Sequence, residues 1–142
     1  MIQIPPRALI KTVVLVDDEP SYLELLTQQI SLNLACPVHS FNRPEAALKA
    51  IPDLNVGLII TDFQMPGLNG FQFIRRVQHL APTIPIVLIT AVPEDFPDDD
   101  LSEMPSLKAI VHKPFKWSEL AAHIARHWPS VSNPPFSQDA DV

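Results

Sequence analysis

The sequence predicts an α/β fold: a parallel β-sheet covered by helices on both faces. Three observations predict it. Short apolar runs alternate with amphipathic stretches in the order strand, helix, strand, helix, strand, helix, strand, loop, strand, helix. The runs are continuously apolar instead of alternating, as strands buried on both faces are. Several of them end abruptly in a polar or charged residue, and ligands of such sheets bind outside the carboxyl ends of the strands.

The elements follow in order. Residues 1–9 form an N-terminal arm. Ile10 to Val16 is a buried strand that runs into Asp17, Asp18 and Glu19. Pro20 suits the first turn of a helix, and Leu23, Leu25, Leu26, Ile30 and Leu34 place an apolar stripe on a helix over 21–34. Val38 to Phe41 is a short strand. Asn42 can cap the next helix, with Pro44 in its first turn and Ala46, Ala47, Leu48 and Ile51 following. Val56 to Thr61 is a strand that ends at Asp62. Gln64 to Gly70 (QMPGLNG) holds two of the three glycines and forms a loop. Phe71 to Leu80 is helical, with Phe71, Ile74, Val77 and Gln78 at threes and fours and Arg75 and Arg76 outward. Ile84 to Thr90 is a strand ending in a hydroxyl. Leu107 to Val111 is a strand followed by His112, Lys113 and Pro114. Phe115 to Trp128 is the last helix, with Leu120, Ala121, Ile124 and Trp128 on its apolar face. Residues 129–142 are a polar, proline-rich tail. The domain proper is therefore residues 10–128.

Bulk composition sets the class. With 142 residues, 46% of them hydrophobic, the chain suits one domain with a full core. Its formal charge of −6 excludes binding nucleic acid through the whole surface. Cys36 is the single cysteine, so no internal disulfide forms and a reducing compartment is the default. No apolar run reaches membrane-spanning length and no signal-peptide pattern opens the chain, so the expectation is a soluble, cytoplasmic protein with no membrane contact.

The strand ends carry the chemistry. Asp17, Asp18, Asp62, Thr90 and Lys113 all fall at one edge of one sheet, where neighbouring strands lie about 5 Å apart. Clustered carboxylates need a cation or shared protons. Oxygen-only ligands suit Mg²⁺, which usually joins carboxylates to phosphate. Lys113 supplies a compact positive charge and Thr90 a hydrogen-bond donor. The set fits phosphoryl transfer to a carboxylate, with Asp62 attacking, the metal and Lys113 neutralising phosphoryl oxygens, and Thr90 contacting one of them. Taken singly, each has a plainer reading: a helix cap, a turn acid, a β-branched strand residue, a solvated lysine. It is their joint placement that points to one site. Cys36 reads as a small hydrophobe. His112 reads as a structural or solvated strand-end residue. His123 and His127 have zinc-binding spacing but no third ligand, and Trp117 and Trp128 read as packing residues. Phe136 is a candidate docking point in the tail.

At VLVDDEP, IITDFQMPGLNG, LIT-Ala91 and HKPF the chain resembles the receiver domain of bacterial two-component response regulators. Asp62 to Gly70 follows that family's D-x-x-M-P-x-x-x-G, and the likeness covers about residues 10–128. The resemblance implies a doubly wound, flavodoxin-like sheet of five parallel strands in the order 2-1-3-4-5. It implies Asp62 as phosphoacceptor, fed by a histidine kinase or histidine phosphotransfer protein. It implies Mg²⁺ held by Asp18, Asp62 and the Gln64 backbone carbonyl, with Asp17 acting through water. It implies Thr90 as the switch hydroxyl, Lys113 as the phosphate contact, and Ala91 as the small residue leaving room beside it. No catalysis is implied beyond Mg²⁺-dependent self-phosphorylation and self-dephosphorylation.

Two departures stand out. Ile110 occupies the place of the family's usual aromatic switch residue. Pro93, Pro97, Pro105 and Asp98-Asp99-Asp100 oppose a long fourth helix, leaving a short or irregular one over about Asp98 to Met104. The tail is too short for an output domain, so output is expected through an unknown downstream protein without nucleic acid. A homodimer is compatible with this, as is a receiver cut from a larger hybrid kinase or regulator. A phosphorylation-independent interaction module is the alternative. A hydrolase of the haloacid-dehalogenase type would carry a second Asp where this chain has Gln64.

Overall fold

Residues 10–92 and 101–129 are described by the computed structural model. The arm, most of the tail and the first part of the expected fourth helix lie outside these residues. Five strands form the sheet: β1 (Thr12–Val16), β2 (Val38–Phe41), β3 (Val56–Asp62), β4 (Ile86–Thr90) and β5 (Leu107–His112). All pairings are parallel, and the order is β2-β1-β3-β4-β5. The helices are α1 (Pro20–Asn33), α2 (Pro44–Ala50), α3 (Gly70–Leu80) and α4 (Trp117–His127), with a 3-10 turn at Ile51–Asp53.

Alternation along β1 explains the two layers. Val13 and Leu15 pack with Leu26 and Ile30 of α1 and Leu120 and Ile124 of α4. Val14 and Val16 pack on the opposite face with Ala47 of α2 and Phe73, Ile74 and Val77 of α3. β1, β3 and β4 are buried along their whole length, as central strands covered on both faces must be. The edge strands β2 and β5 are only partly buried. Continuous apolarity is thus a property of the middle of this sheet and not of its edges.

Most expected boundaries move by one or two residues. The strands begin at Thr12 and Ile86 instead of Ile10 and Ile84, and β3 and β5 run one residue further, to Asp62 and His112. The last helix occupies Trp117–His127, inside the expected Phe115–Trp128, while Trp128 packs in the core beside it. Leu25 is off the stripe of α1, 59% exposed.

The capping expectations need correction. Asn42 does not cap α2: the N-cap is Arg43, extended at φ −140° and ψ 134°, without a side-chain cap bond. Pro44 at the first helical position drives the residue before it out of the α region, which fixes the cap at 43. By the same rule Pro20 fixes the α1 N-cap at Glu19, whose carboxylate accepts from the Tyr22 N–H at 2.7 Å. Glu19 is therefore the cap of α1.

Residues 101–102 are helical and lead through a turn, closed by Met104 N–H donating to the Leu101 carbonyl at 3.1 Å, into β5. Met104 is buried in the α2–α3 layer. Among the described residues no helix is long and apolar enough to cross a membrane.

Candidate functional site

The sheet's hydrogen-bond ladder continues past the strand ends and fixes the residues beyond them. Asp17 N–H donates to the Phe41 carbonyl (3.1 Å), Phe63 N–H to Ile89 (3.0 Å) and Lys113 N–H to Thr90 (2.8 Å). The backbone at Asp17, Phe63 and Lys113 is therefore held by the adjacent strand.

Asp17, Asp18 and Asp62 each offer a carboxylate oxygen, and these atoms lie within 4.8 Å of one another. Asp17 is 1% exposed, Asp62 8%, and Asp18 half-buried. Lys113 Nζ stands 3.4 Å from Asp62 Oδ1 and 3.6 Å from Asp17 Oδ2. The other Asp17 oxygen accepts the Glu19 N–H at 2.9 Å. Burial pushes the Asp17 carboxyl upward from its ordinary value, and Asp62 and Asp18 add to this; the Glu19 N–H and Lys113 oppose it. Burial likewise raises Asp62, with Lys113 the main opposing influence. One ammonium does not offset three carboxylates, so the donor set calls for a further cation. Oxygen-only ligands, one partly open to water, fit a hard divalent ion such as Mg²⁺.

Thr90 is fully buried at the end of β4, and its hydroxyl accepts the Val92 N–H at 3.0 Å. The Val92 carbonyl lies 3.2 Å from His112 Nδ1, so His112 has a structural partner on this loop. Gln64 is exposed in the loop after Asp62. Ile110 packs half-buried against the α2–α3 layer.

The loop after β3 is shaped by its glycines. Gly67 has φ +84°, which favours glycine. Gly70 N–H donates to the Phe63 carbonyl at 2.7 Å, and a Cβ there would lie 2.9 Å from Phe63 Cα and 3.0 Å from the Asp62 carbonyl. Asn69 and Gln72 form a reciprocal capping box at 2.9 Å in each direction, a signal present in the sequence as Asn followed three residues later by Gln. Phe63 and Phe71 meet edge to face at 5.0 Å. Gly70→Ala is expected to cost about 1–3 kcal/mol, because two of the three contacts to be displaced are backbone and the third is the buried Leu88 side chain. It should also slow chemistry at Asp62. Denaturation and phosphoryl uptake measured together check this, and an unchanged midpoint would contradict it.

Sequence reasoning missed Tyr22. Its ring centroid lies 4.1 Å from Lys113 Nζ. Burial, Asp17 and Asp62 push its phenol up to about 12. The available signal was an aromatic in the first turn of the helix that follows two strand-end acids.

A family model described as the response regulator receiver domain matches residues 13–125. The DNA-binding response regulator MtrA of Mycolicibacterium smegmatis is 32% identical over 112 residues, 79% of this chain and 48% of MtrA. The cyclic di-GMP phosphodiesterase response regulator RpfG of Xanthomonas campestris is 35% identical over 86 residues, 58% of this chain and 23% of RpfG. The chain thus spans less than half the length of either relative. The response regulator TrrA of Thermotoga maritima, solved in complex with Mg²⁺ and BeF, superposes with a TM-score of 0.73 at 26% identity. That likeness covers 82% of this chain and 98% of TrrA's.

Proposed function

The chain belongs to the response regulator receiver domain family, and from that premise we propose that it is a phospho-receiver of a two-component phosphorelay, with Asp62 as the acceptor. One observation carries the reading: Asp62 shares a buried site with Asp17 and Asp18, and Lys113 reaches both Asp62 and Asp17. Asp17, Asp18 and Asp62, with the Gln64 backbone carbonyl, would hold Mg²⁺. When bound, the ion neutralises charge on the phosphoryl oxygens.

The rest is chemistry of the chain itself. A carboxylate oxygen of Asp62 forms a bond to phosphorus as the P–N bond of a phosphohistidine breaks, and the imidazole nitrogen keeps the electron pair. Lys113 Nζ stands 3.4 Å from the attacking carboxylate, so it can follow the transferred charge. The Thr90 hydroxyl, which accepts the Val92 N–H, can donate its own proton to a phosphoryl oxygen. Self-dephosphorylation is water attack on the same phosphorus, which releases phosphate and restores the carboxylate. The donor is a histidine kinase or histidine phosphotransfer protein, and output passes to a downstream protein. That TrrA was solved in complex with Mg²⁺ and BeF supports this reading.

Ile110 favours a second reading, a phosphorylation-independent interaction module, because no aromatic is there to rotate when Thr90 moves. Intact mass after incubation with acetyl phosphate and Mg²⁺ separates the two. The phospho-receiver gains one phosphoryl group and Asp62→Asn gains none. No gain in the wild type under Mg²⁺-saturated conditions, with acetyl phosphate or a phosphohistidine donor, would favour the interaction module.

A further inference from the structure

We infer that Tyr22 is a positioning residue for Lys113, its ring forming the platform that keeps the lysine ammonium at the acidic site; the inference rests on the phospho-acceptor reading above. Among the described residues Lys113 Nζ has three partners: Asp62 at 3.4 Å, Asp17 at 3.6 Å and the Tyr22 ring centroid at 4.1 Å. Both carboxylates are also the groups a divalent cation or an incoming phosphoryl group would engage. The ring is not. It binds no hard metal, and its attraction for a cation persists when the carboxylates turn away.

The backbone that carries the ring is held from within the site. Asp17 Oδ1 accepts the Glu19 N–H, and Glu19 Oε2 accepts the Tyr22 N–H. Pro20 occupies the first helical position between them. The start of α1 is thus tied to the same carboxylate whose other oxygen faces Lys113. The phenol, pushed up to about 12, stays neutral at working pH.

Lys113 needs such a platform because it has somewhere else to go. A hollow of about 500 Å³ lies beside it, lined among others by Tyr22, Leu26, Ala91, Pro114 and Phe115. A lysine carries four rotatable bonds and much rotamer entropy. Without the ring it would sample this hollow and spend less time at Asp62.

Four single variants of the full chain, and the Tyr22 changes combined with Lys113→Gln, test the idea: Tyr22→Phe keeps the ring, Tyr22→Leu and Tyr22→Met remove it at similar bulk, and Lys113→Gln removes the cation. The readouts are the initial rate of phosphoryl uptake from acetyl phosphate at saturating Mg²⁺, and the NMR shift of the Lys113 ε-methylene protons. Tyr22→Phe should keep the upfield ring-current shift and the wild-type rate within about twofold. The ring-free variants should lose the shift and slow about fivefold to tenfold, the scale of a partly desolvated cation–π contact. That difference between ring and no ring should vanish in the Lys113→Gln background. Equal rates for Tyr22→Leu and wild type, equal losses in Phe and Leu variants, or a difference that survives Lys113→Gln would overturn the inference alone. A wild type that takes up no phosphoryl group would overturn the phospho-acceptor reading, and the role assigned to Tyr22 with it.

Discussion

Asp62→Asn should raise the thermal midpoint of the divalent-cation-free protein at pH 7 by several degrees, while abolishing phosphoryl uptake. The two effects share one cause. Asp62 and Asp17 are almost fully buried beside Asp18, with one lysine between them. Burial raises both carboxyls above their ordinary value of 3.8, more than Lys113 lowers them. A carboxyl with a raised native pKa holds its proton in the folded chain at pH values where the unfolded chain has lost it. The folded state then binds more protons, so stability falls as pH rises from about 4 through the native values. As pH rises toward 7 the folded state bears more of the cost of the charged pair. Asn keeps the shape and drops one charge, which leaves Lys113 paired with Asp17. The gain should be about 1–3 kcal/mol, the scale of an incompletely compensated buried charge.

Melting curves at pH 5 and pH 7, with and without Mg²⁺, check the sign. Cation-free wild type should lose stability as pH rises from about 4 toward 7, and Asp62→Asn should lose less. Mg²⁺ at ten times its dissociation constant should restore about 1.4 kcal/mol to the wild type at pH 7. A wild type that melts higher at pH 7 than at pH 5 without divalent cation, together with a destabilised Asp62→Asn, would mean that Lys113 already neutralises the site.

The strand-end acids were legible because each ends an apolar run, and a parallel sheet gathers its carboxyl ends at one edge. The sheet order was not legible from the residues themselves, since periodicity carries no information on which strands neighbour; it came with the family resemblance. The caps at Glu19 and Arg43 were missed although the prolines that fix them were noted, because side-chain capping preference was weighed above the backbone restriction that proline imposes. Tyr22 was illegible for another reason. Its partner Lys113 arrives from the far end of the chain, and only the packing of α1 against the β5–α4 loop brings the ring beneath the ammonium. Phe73 falls outside the stripe of Phe71, Ile74, Val77 and Gln78 that the threes and fours pick out. A helix seated on a sheet buries a wider face than the narrowest set of threes and fours.

Phe73 consequently carries the largest stability effect expected of any single side chain in α3. It is fully buried and among the largest such residues, packed in the cluster that holds Ile59, Ile74, Val77, Ile86 and Leu88. Phe73→Ala removes a whole ring from a layer closed by the sheet below and by α2 beside it, so the gap has little freedom to collapse. The cost should be about 3–5 kcal/mol, a large share of the roughly 5–15 kcal/mol that holds a domain folded. Phe71, two residues earlier, makes the informative contrast. It is nearly as buried, but its ring meets Phe63 edge to face in the loop that follows Asp62. Phe71→Ala should therefore disturb the acceptor loop as well as the core. Urea midpoints and phosphoryl uptake rates, measured where each variant remains folded, separate the two. Phe73→Ala should lose stability with its uptake rate within about twofold of wild type, whereas Phe71→Ala should lose both. A loss under about 1.5 kcal/mol for Phe73→Ala would show that α3 settles into the cavity. Such settling would draw Gly70, and with it the Phe63 carbonyl it donates to, toward the sheet, and the uptake rate would then fall in that variant too.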